Sequence, residues 1–385
     1  MSLSPPPDRW LTEARLSGDG TLRTEEMILN IGPQHPATHG VLRVVVTLDG
    51  ERVVEAEPVI GYMHRGHEKL FEQRDFRQIT NLCSRMDWLS GINNEIPASI
   101  AVERLMELEV PRRATYLRVI LAEMNRILNH LMFTGSFGLE LGATTPVMYA
   151  FRERELLQKA MEMATGGRMH FGFIRPGGLK EDVPRGFVDL ALKGIRQLQR
   201  AIPDYEDLLI GNEIFKARTM GVGRLDPELA TEYGVSGPIM RASGIAYDIR
   251  KAEPYLNYSE FDFDVPVGVN GDSFDRYWVL VQEMKESAKI VEQALLGLPS
   301  GSHIGQVPKR LQIPKGAIWA KAENPLGELG YYIVSDGDSK PYRMKVRTPS
   351  FSNIQVVPHL LRGAYVPDMV AILGSMFFVV GDIDR

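Results

Sequence analysis

His35 and His39 stand four residues apart in Gly32-Pro33-Gln34-His35-Pro36-Ala37-Thr38-His39-Gly40. On a helix that spacing would put both imidazoles on one face, where they could ligate a metal. Pro36 and Gly40 oppose a helix and no carboxylate stands close by in the sequence, so a metal pair is the weaker reading. A loop histidine offering a proton to a ligand fits better, because an imidazole with its ordinary pKa of about 6.5 holds or loses a proton around neutrality. The plain alternative is a turn histidine hydrogen-bonded to backbone. A second group, His64-Arg65-Gly66-His67-Glu68-Lys69, reads on charge alone as the solvated start of an amphipathic helix. His170 precedes Ile174-Arg175-Pro176-Gly177-Gly178, where proline and paired glycines fix an unusual loop; a satisfied core histidine is the plain reading there. The single cysteine, Cys83, excludes more than the eight histidines suggest. A disulfide within the chain needs two cysteines, a structural zinc site usually two to four, and an iron–sulfur cluster about four.

The elements that must position these groups are legible from composition and period. With 385 residues, 44% hydrophobic and 24% charged, the chain is globular and long enough for two or three packing units. A net charge of −5 provides no basic field for a polyanion, so nucleic-acid binding is disfavoured. The most apolar run, Met369 to Val380, is shorter than the roughly 20 residues a spanning helix needs. The N-terminus resembles neither a secretory signal nor a transit peptide, and residues 1–25 read as a flexible arm. No Gly-rich phosphate loop and no strand-to-helix GxGxxG stands out, so a nucleotide fold has no support.

Alternation at Leu42, Val44, Val46 and Leu48, followed by Asp49-Gly50 and Val53-Val54, predicts a β-hairpin. From Pro111 the period changes: Leu117, Ile120, Leu121, Met124, Leu128 and Leu131 form one helical stripe, with Arg118, Glu123 and Arg126 free to point elsewhere. Thr145-Pro146 predicts a capped helix ending at Gly166-Gly167. A further helix is expected over about 187–209, interrupted at Pro203, and another begins at Asp272-Ser273 and runs to Gly297. The tail from Ile318 to Arg347 reads as short strands with basic side chains on one side. From the residues alone this is a soluble α+β protein with a candidate histidine site.

In this order, GPQHPATHGVLR, GYMHRGHEK, AFRERE, MHFGFIRPGG, GELGYYIVSDG and PYRMKVRTPSF resemble the 49-kilodalton-type subunits of respiratory complex I, in bacteria the D-type subunit of NADH-quinone oxidoreductase. The resemblance runs from Glu25 to Arg385. It implies a mainly helical core like that of the nickel–iron hydrogenase large subunit, with small β elements near the N-terminus and in the C-terminal region. Where the hydrogenase carries its C-terminal metal-binding cysteines this sequence has Val379 and Asp382, so hydrogenase chemistry should be absent. The vacated pocket is where the family binds a quinone headgroup, beside a [4Fe-4S] cluster held by a neighbouring subunit. No metal or flavin is expected on this chain alone.

By the resemblance, His39 hydrogen-bonds one quinone carbonyl and donates a proton on reduction. Its acidic partner, Asp in relatives, is Glu140 here, expected to accept a hydrogen bond from His39 and to favour its charged form. Relatives carry Tyr after a triplet like Arg85-Met86-Asp87, whereas this chain has Trp88, which can donate an indole N–H and stack but has no titratable hydroxyl. Three readings follow: a different quinone seated by the indole, a second proton from Asp87 or water, or a paralogue with reduced quinone chemistry. Arg65 and His170 match residues near the partner's cluster, where they would tune its potential without ligating it.

The resulting division is residues 1–25 as arm, 26–75 as hairpin and quinone-site loop, 76–300 as helical core, and 301–385 as a β-containing region completing the cavity. The implied function is a peripheral-arm subunit of proton-translocating NADH:quinone oxidoreductase at the cytoplasmic face of a bacterial cell membrane. The implied partners are the cluster-bearing B-type subunit, the C-type subunit, the ferredoxin-like I-type subunit and the membrane-embedded H-type subunit. The alternatives are the same role in a complex fed by ferredoxin or another donor, and a scaffold paralogue with weakened quinone chemistry.

Overall fold

The computed structural model describes residues 26–385; the arm expected over residues 1–25 lies outside the described residues. The alternating Leu42, Val44, Val46 and Leu48 are buried, and Arg43–Asp49 pairs antiparallel with Arg52–Val59 across the Asp49-Gly50 turn. Gly50 takes φ 60°, the left-handed region that a tight turn of this kind needs. A third strand, Met27–Ile31, adds to the other edge of Arg43–Asp49. Alternation could not reveal it, because Met27 and Ile28 are both apolar and both exposed on an edge strand.

The predicted helical stripe lies in Arg112–Glu140, where Leu117, Ile120, Leu121, Met124, Leu128 and Leu131 are all buried. The helix packs on Thr145–Thr165 and on Ser273–Leu296, so it is covered on more than one face. For that reason the polar positions off the stripe are enclosed as well. Arg118, Glu123 and Arg126 are fully buried rather than turned to water.

Their charges are met inside. Glu123 Oε2 lies 3.1 Å from Arg126 Nε and 3.0 Å from Arg250 Nη1, and the same carboxylate accepts from the Tyr258 and Ser287 hydroxyls at 2.7 Å each. Arg241 joins Glu283 at 2.7 Å and Glu323 at 2.8 Å, and His130 Nε2 lies 2.9 Å from Glu283. Burial alone would raise the Glu123 and Glu283 carboxyls. The guanidiniums overcome it and hold both at about 2, Arg126 and Arg250 on Glu123, Arg241 on Glu283.

Two helix ends differ from expectation. Thr145 is the first helical residue of Thr145–Thr165 rather than its cap; Thr144 precedes it and makes no side-chain capping bond. The stop is as expected, with Gly166 at φ 78°. Phe187–Tyr205 passes through Pro203 and then widens into a π-type turn at Glu206–Ile210. The hydrogen bond that proline removes is absorbed by a wider turn instead of breaking the helix at the ring. Asp272 caps Ser273–Leu296, accepting the Asp275 backbone N–H at 2.9 Å.

The C-terminal strands form an antiparallel meander of Gly316–Asn324, Gly327–Ser335 and Arg343–Arg347. A large core gathers the long helices and this meander, while a smaller one joins the N-terminal sheet to the last helices through Val44, Val46, Val357, Ile372 and Phe378. Backbone bonds between Val53 and the Gly363-Ala364 turn fasten the two ends of the chain at 2.7 and 2.9 Å. That closure decides which loops meet.

Candidate functional site

Three of the loops marked in the sequence converge on the C-terminal end of the chain. In the first, His35 stands at the start of a one-turn 3-10 helix, Pro36–Thr38, and its Nδ1 accepts the Ala37 N–H at 3.2 Å. It is the turn histidine of the plain reading. His39 follows in the left-handed region, φ 45°, a conformation that a non-glycine residue holds only when its surroundings require it. Its ring points inward, 4.6 Å from the Phe378 ring and 5.6 Å from that of Phe133.

The Phe378 carbonyl lies 3.0 Å from His39 Nδ1, and a carbonyl can only accept, so Nδ1 carries a proton. Nε2 therefore carries one only in the imidazolium. Opposite Nε2 stands Glu140, the last residue of Arg112–Glu140, with Oε1 at 3.5 Å and both side chains less than a tenth exposed. This is an ion-pair separation, longer than the hydrogen bond expected between them. Among the described residues Glu140 Oε2 has no hydrogen-bond partner, and a β-carbon at Gly374 would collide with it, so glycine is required there. A buried carboxylate at a helix C-terminus gains nothing from the helix dipole. Facing it is His39 Nε2, and both side chains lie against a hydrophobic wall.

The second loop carries Asp87 and Trp88. Asp87 is fully buried and its Oδ1 accepts the Leu89 N–H at 2.9 Å, while Trp88 is 38% exposed. The chain's last turn presses on this loop: a β-carbon at Gly381 would meet the Met86 carbonyl at 2.6 Å. The third loop is stapled by Asp384, whose carboxylate accepts the Gly61 and Met63 N–H groups at 2.7 and 2.6 Å. Arg65 is exposed beyond it. His67, expected at a solvated helix start, is instead buried, because Gly66 turns the chain and packs it on Phe71. Burial, and then the Arg65 charge, pushes its imidazole below the ordinary value. A concavity of about 400 Å³ opens here between His64, Glu68, Arg343 and Arg385.

His170, half-buried and left-handed at φ 53°, directs Nδ1 at the Ser84 carbonyl, 3.1 Å away. It is thereby tied to the segment that carries Asp87. The loop after it is clamped by two glutamates of Gly91–Leu105. Glu95 accepts the Gly172, Phe173 and Ile174 N–H groups at 2.7, 2.9 and 2.9 Å, and Glu103 accepts the Gly177 N–H at 2.7 Å while pairing with Arg118. Sequence reasoning passes over both; a glutamate flanked by Asn94 and Ile96 in an apolar helix is the available signal. Burial pushes Glu95 up to about 7 against the pull of those three donors. Glu95→Gln replaces one accepting oxygen by a donor, leaving a buried N–H unpaired at a cost of about 1–3 kcal/mol. Hydrogen exchange at the amides of residues 172–174 should accelerate accordingly, by about tenfold or more; unchanged exchange would remove the clamp.

The structure thus brings His39 and Glu140 together directly, and joins Asp87 to them through the final turn. Arg65 and His170 contact neither. Phe378 and Asp384 complete the arrangement and carry no signal in the sequence; Asp382, marked there only as standing where a hydrogenase cysteine would, joins them. Among the described residues no helix is long and apolar enough to cross a membrane.

The family model of the respiratory-chain NADH dehydrogenase 49 Kd subunit matches residues 140–311 and 302–385. The second of the NADH-quinone oxidoreductase D subunits of Salinispora tropica is 54% identical over 379 residues, spanning 98% of this chain and 97% of that protein. The first of the D subunits of Streptomyces coelicolor is 52% identical over 379 residues, 97% and 99% of the two chains. The D subunit of Desulforamulus reducens is 46% identical over 364 residues, 94% of this chain and 100% of that one. At this identity and coverage, with the α+β architecture above, the chain belongs to the 49-kilodalton subunit family of respiratory-chain NADH dehydrogenase.

Proposed function

We propose that the chain is the quinone-site subunit in the peripheral arm of a proton-translocating NADH:quinone oxidoreductase, on the cytoplasmic side of a bacterial membrane. The observation that carries the reading is the His39 ring, fixed by Phe378 at one nitrogen and facing Glu140 with the other. Quinone reduction takes two electrons and two protons. The electrons come from the neighbouring subunit's [4Fe-4S] cluster. One proton comes from His39 Nε2 to a carbonyl oxygen, leaving a neutral ring held by the Phe378 carbonyl at Nδ1 and faced by Glu140 at Nε2. Trp88 seats the headgroup with its exposed indole, and Asp87 lies behind it as a source of the second proton. Arg65 and His170 lie toward the partner's cluster, where positive charge offsets an added electron.

Residues 26–75 and 301–385 close the pocket from two sides, and 76–300 forms the wall between them. The exposed side chains of Tyr62, Met63, Trp88 and Leu139, next to these groups in sequence, support a surface that a partner chain or an apolar headgroup covers. Glu140→Gln keeps the volume and removes the charge. The expected result is a turnover lowered about tenfold in the assembled complex, the equivalent of one charge-assisted hydrogen bond of about 1.5 kcal/mol, with an altered pH profile. Wild-type turnover and profile would discard the pair.

A further inference from the structure

Two carboxyl groups lie in the interior beside Trp88, apart from the His39–Glu140 pair. Asp87 and Asp382 are both 0% exposed. Each has one oxygen engaged by backbone, Asp87 Oδ1 with Leu89 N–H and Asp382 Oδ2 with Ser350 N–H, both at 2.9 Å. Among the described residues each has one oxygen without a partner, Asp87 Oδ2 and Asp382 Oδ1. They come from segments distant in the chain that the approach of Gly381 to the Met86 carbonyl forces together.

Among the described residues no cationic nitrogen hydrogen-bonds either carboxyl. Arg347 directs its guanidinium to Ser236, Glu328 and Gly234, and Arg385 directs its own to the Ile383 carbonyl and toward Glu68. Burial, and then the like charge of Asp382, pushes Asp87 up to about 7; burial pushes Asp382 up to about 6. The other groups acting on the pair are Arg347 and Arg385 toward Asp382, and the Ser90 and Ser350 hydroxyls. Tyr331 faces Asp382 from its strand, with Cys83 and Glu95 beside it. Burial raises the Cys83 thiol to about 12 and raises Tyr331, so both stay neutral, whereas Glu95 titrates in the same range as the pair.

Two unpaired carboxylates this deep cannot both stay ionised near neutrality. We propose that Asp87 and Asp382 hold one proton between them, and that this is the second proton taken up when the acceptor is reduced. The inference deepens the quinone reading and rests on it. Trp88, the residue next to Asp87, has no acidic proton to give. In the balanced reaction the quinone takes two electrons, one at a time, through the partner's cluster. One O–H bond forms with the proton from His39 Nε2 and the other with the proton of the carboxyl pair. The pair is left doubly ionised and takes a proton back from solvent. Asp382 acts through Asp87 and is a positioning residue.

The test compares Asp87→Asn, Asp382→Asn and Glu95→Gln in membranes containing the whole complex, with assembly normalised to the electron paramagnetic resonance signal of the partner's cluster. Wild-type turnover should fall as pH rises through about 7, where the pair loses its proton. Asp382→Asn removes the like charge, so that alkaline limb moves about one pH unit toward acid. Asp87→Asn lowers turnover about a hundredfold and removes the part of the limb that Asp382→Asn moves, and Glu95→Gln leaves that part in place.

The folded values lie above the unfolded ones, so the pair's contribution to stability is present below about pH 4 and is lost as pH rises through about 6 and 7. Asp382→Asn should therefore raise the melting temperature more at pH 8 than at pH 5. A uniform loss of turnover at every pH, or a limb that follows Glu95, overturns the proposal. The quinone reading itself fails separately, if His39→Gln keeps wild-type turnover; an impaired His39→Gln with unaltered limbs in both aspartate variants defeats the carboxyl pair alone.

Discussion

His39→Gln is expected to lower quinone reductase turnover of the assembled complex by about a hundredfold or more, the range that general-acid catalysis usually contributes. Glutamine fills much of the same volume between Phe133 and Phe378, so the hydrophobic wall survives and the partner's cluster signal should be retained. What disappears is the ring whose Nδ1 is fixed on the Phe378 carbonyl and whose Nε2 faces Glu140. The loss should fall on kcat more than on KM, because the amide still donates a hydrogen bond to a carbonyl but surrenders no proton. In combination with Glu140→Gln the two losses should be less than additive, since the two side chains face one another. Full additivity would mean that the histidine and the glutamate act independently.

The second large effect is structural. Arg241→Met should prevent accumulation of the subunit in the complex. Arg241 is fully buried and meets Glu283 at 2.7 Å, Glu323 at 2.8 Å and Asp248 at 3.8 Å. Methionine fills part of the space but leaves three carboxylates facing one another without the charge that holds Glu283 down. Breaking a buried pair on one side costs about 3–5 kcal/mol, a large share of the roughly 5–15 kcal/mol by which a typical domain is stable. The measurement is the amount of subunit in purified complex and its melting temperature. Arg241→Lys should rescue only poorly, because a single ammonium cannot reach in the several directions that the guanidinium occupies. Normal assembly of Arg241→Met would show that the cluster carries little of the fold's stability.

The same cluster shows where periodic reasoning stops. The apolar stripe of Arg112–Glu140 is readable because hydrophobic burial repeats with the helical turn. That rule sends Arg118, Glu123 and Arg126 to the outside. They are inside because Gly91–Leu105 and the Arg250 turn supply matching charges from positions up to 127 residues away, and Ser273–Leu296 adds the Ser287 hydroxyl from 164 residues away. Pairing over such distances leaves no local trace. Pro203 is legible as a perturbation, but a wider turn downstream takes up its effect.

For the site, the family resemblance marks His39, Glu140, Asp87, Trp88, Arg65 and His170 as candidates, and the single cysteine alone is enough to rule out an intrachain disulfide. Hairpin, long helices and C-terminal strands follow from alternation, heptad-like spacing and turn residues, all short-range properties. Only the tertiary structure decided that His39 would take a left-handed backbone, that Phe378 would fix its tautomer, and that Asp382 would be pressed toward Asp87. Those outcomes depend on how the two chain ends close on one another and on which polar groups lose water in doing so. Desolvation belongs to the packed assembly of segments rather than to any one of them.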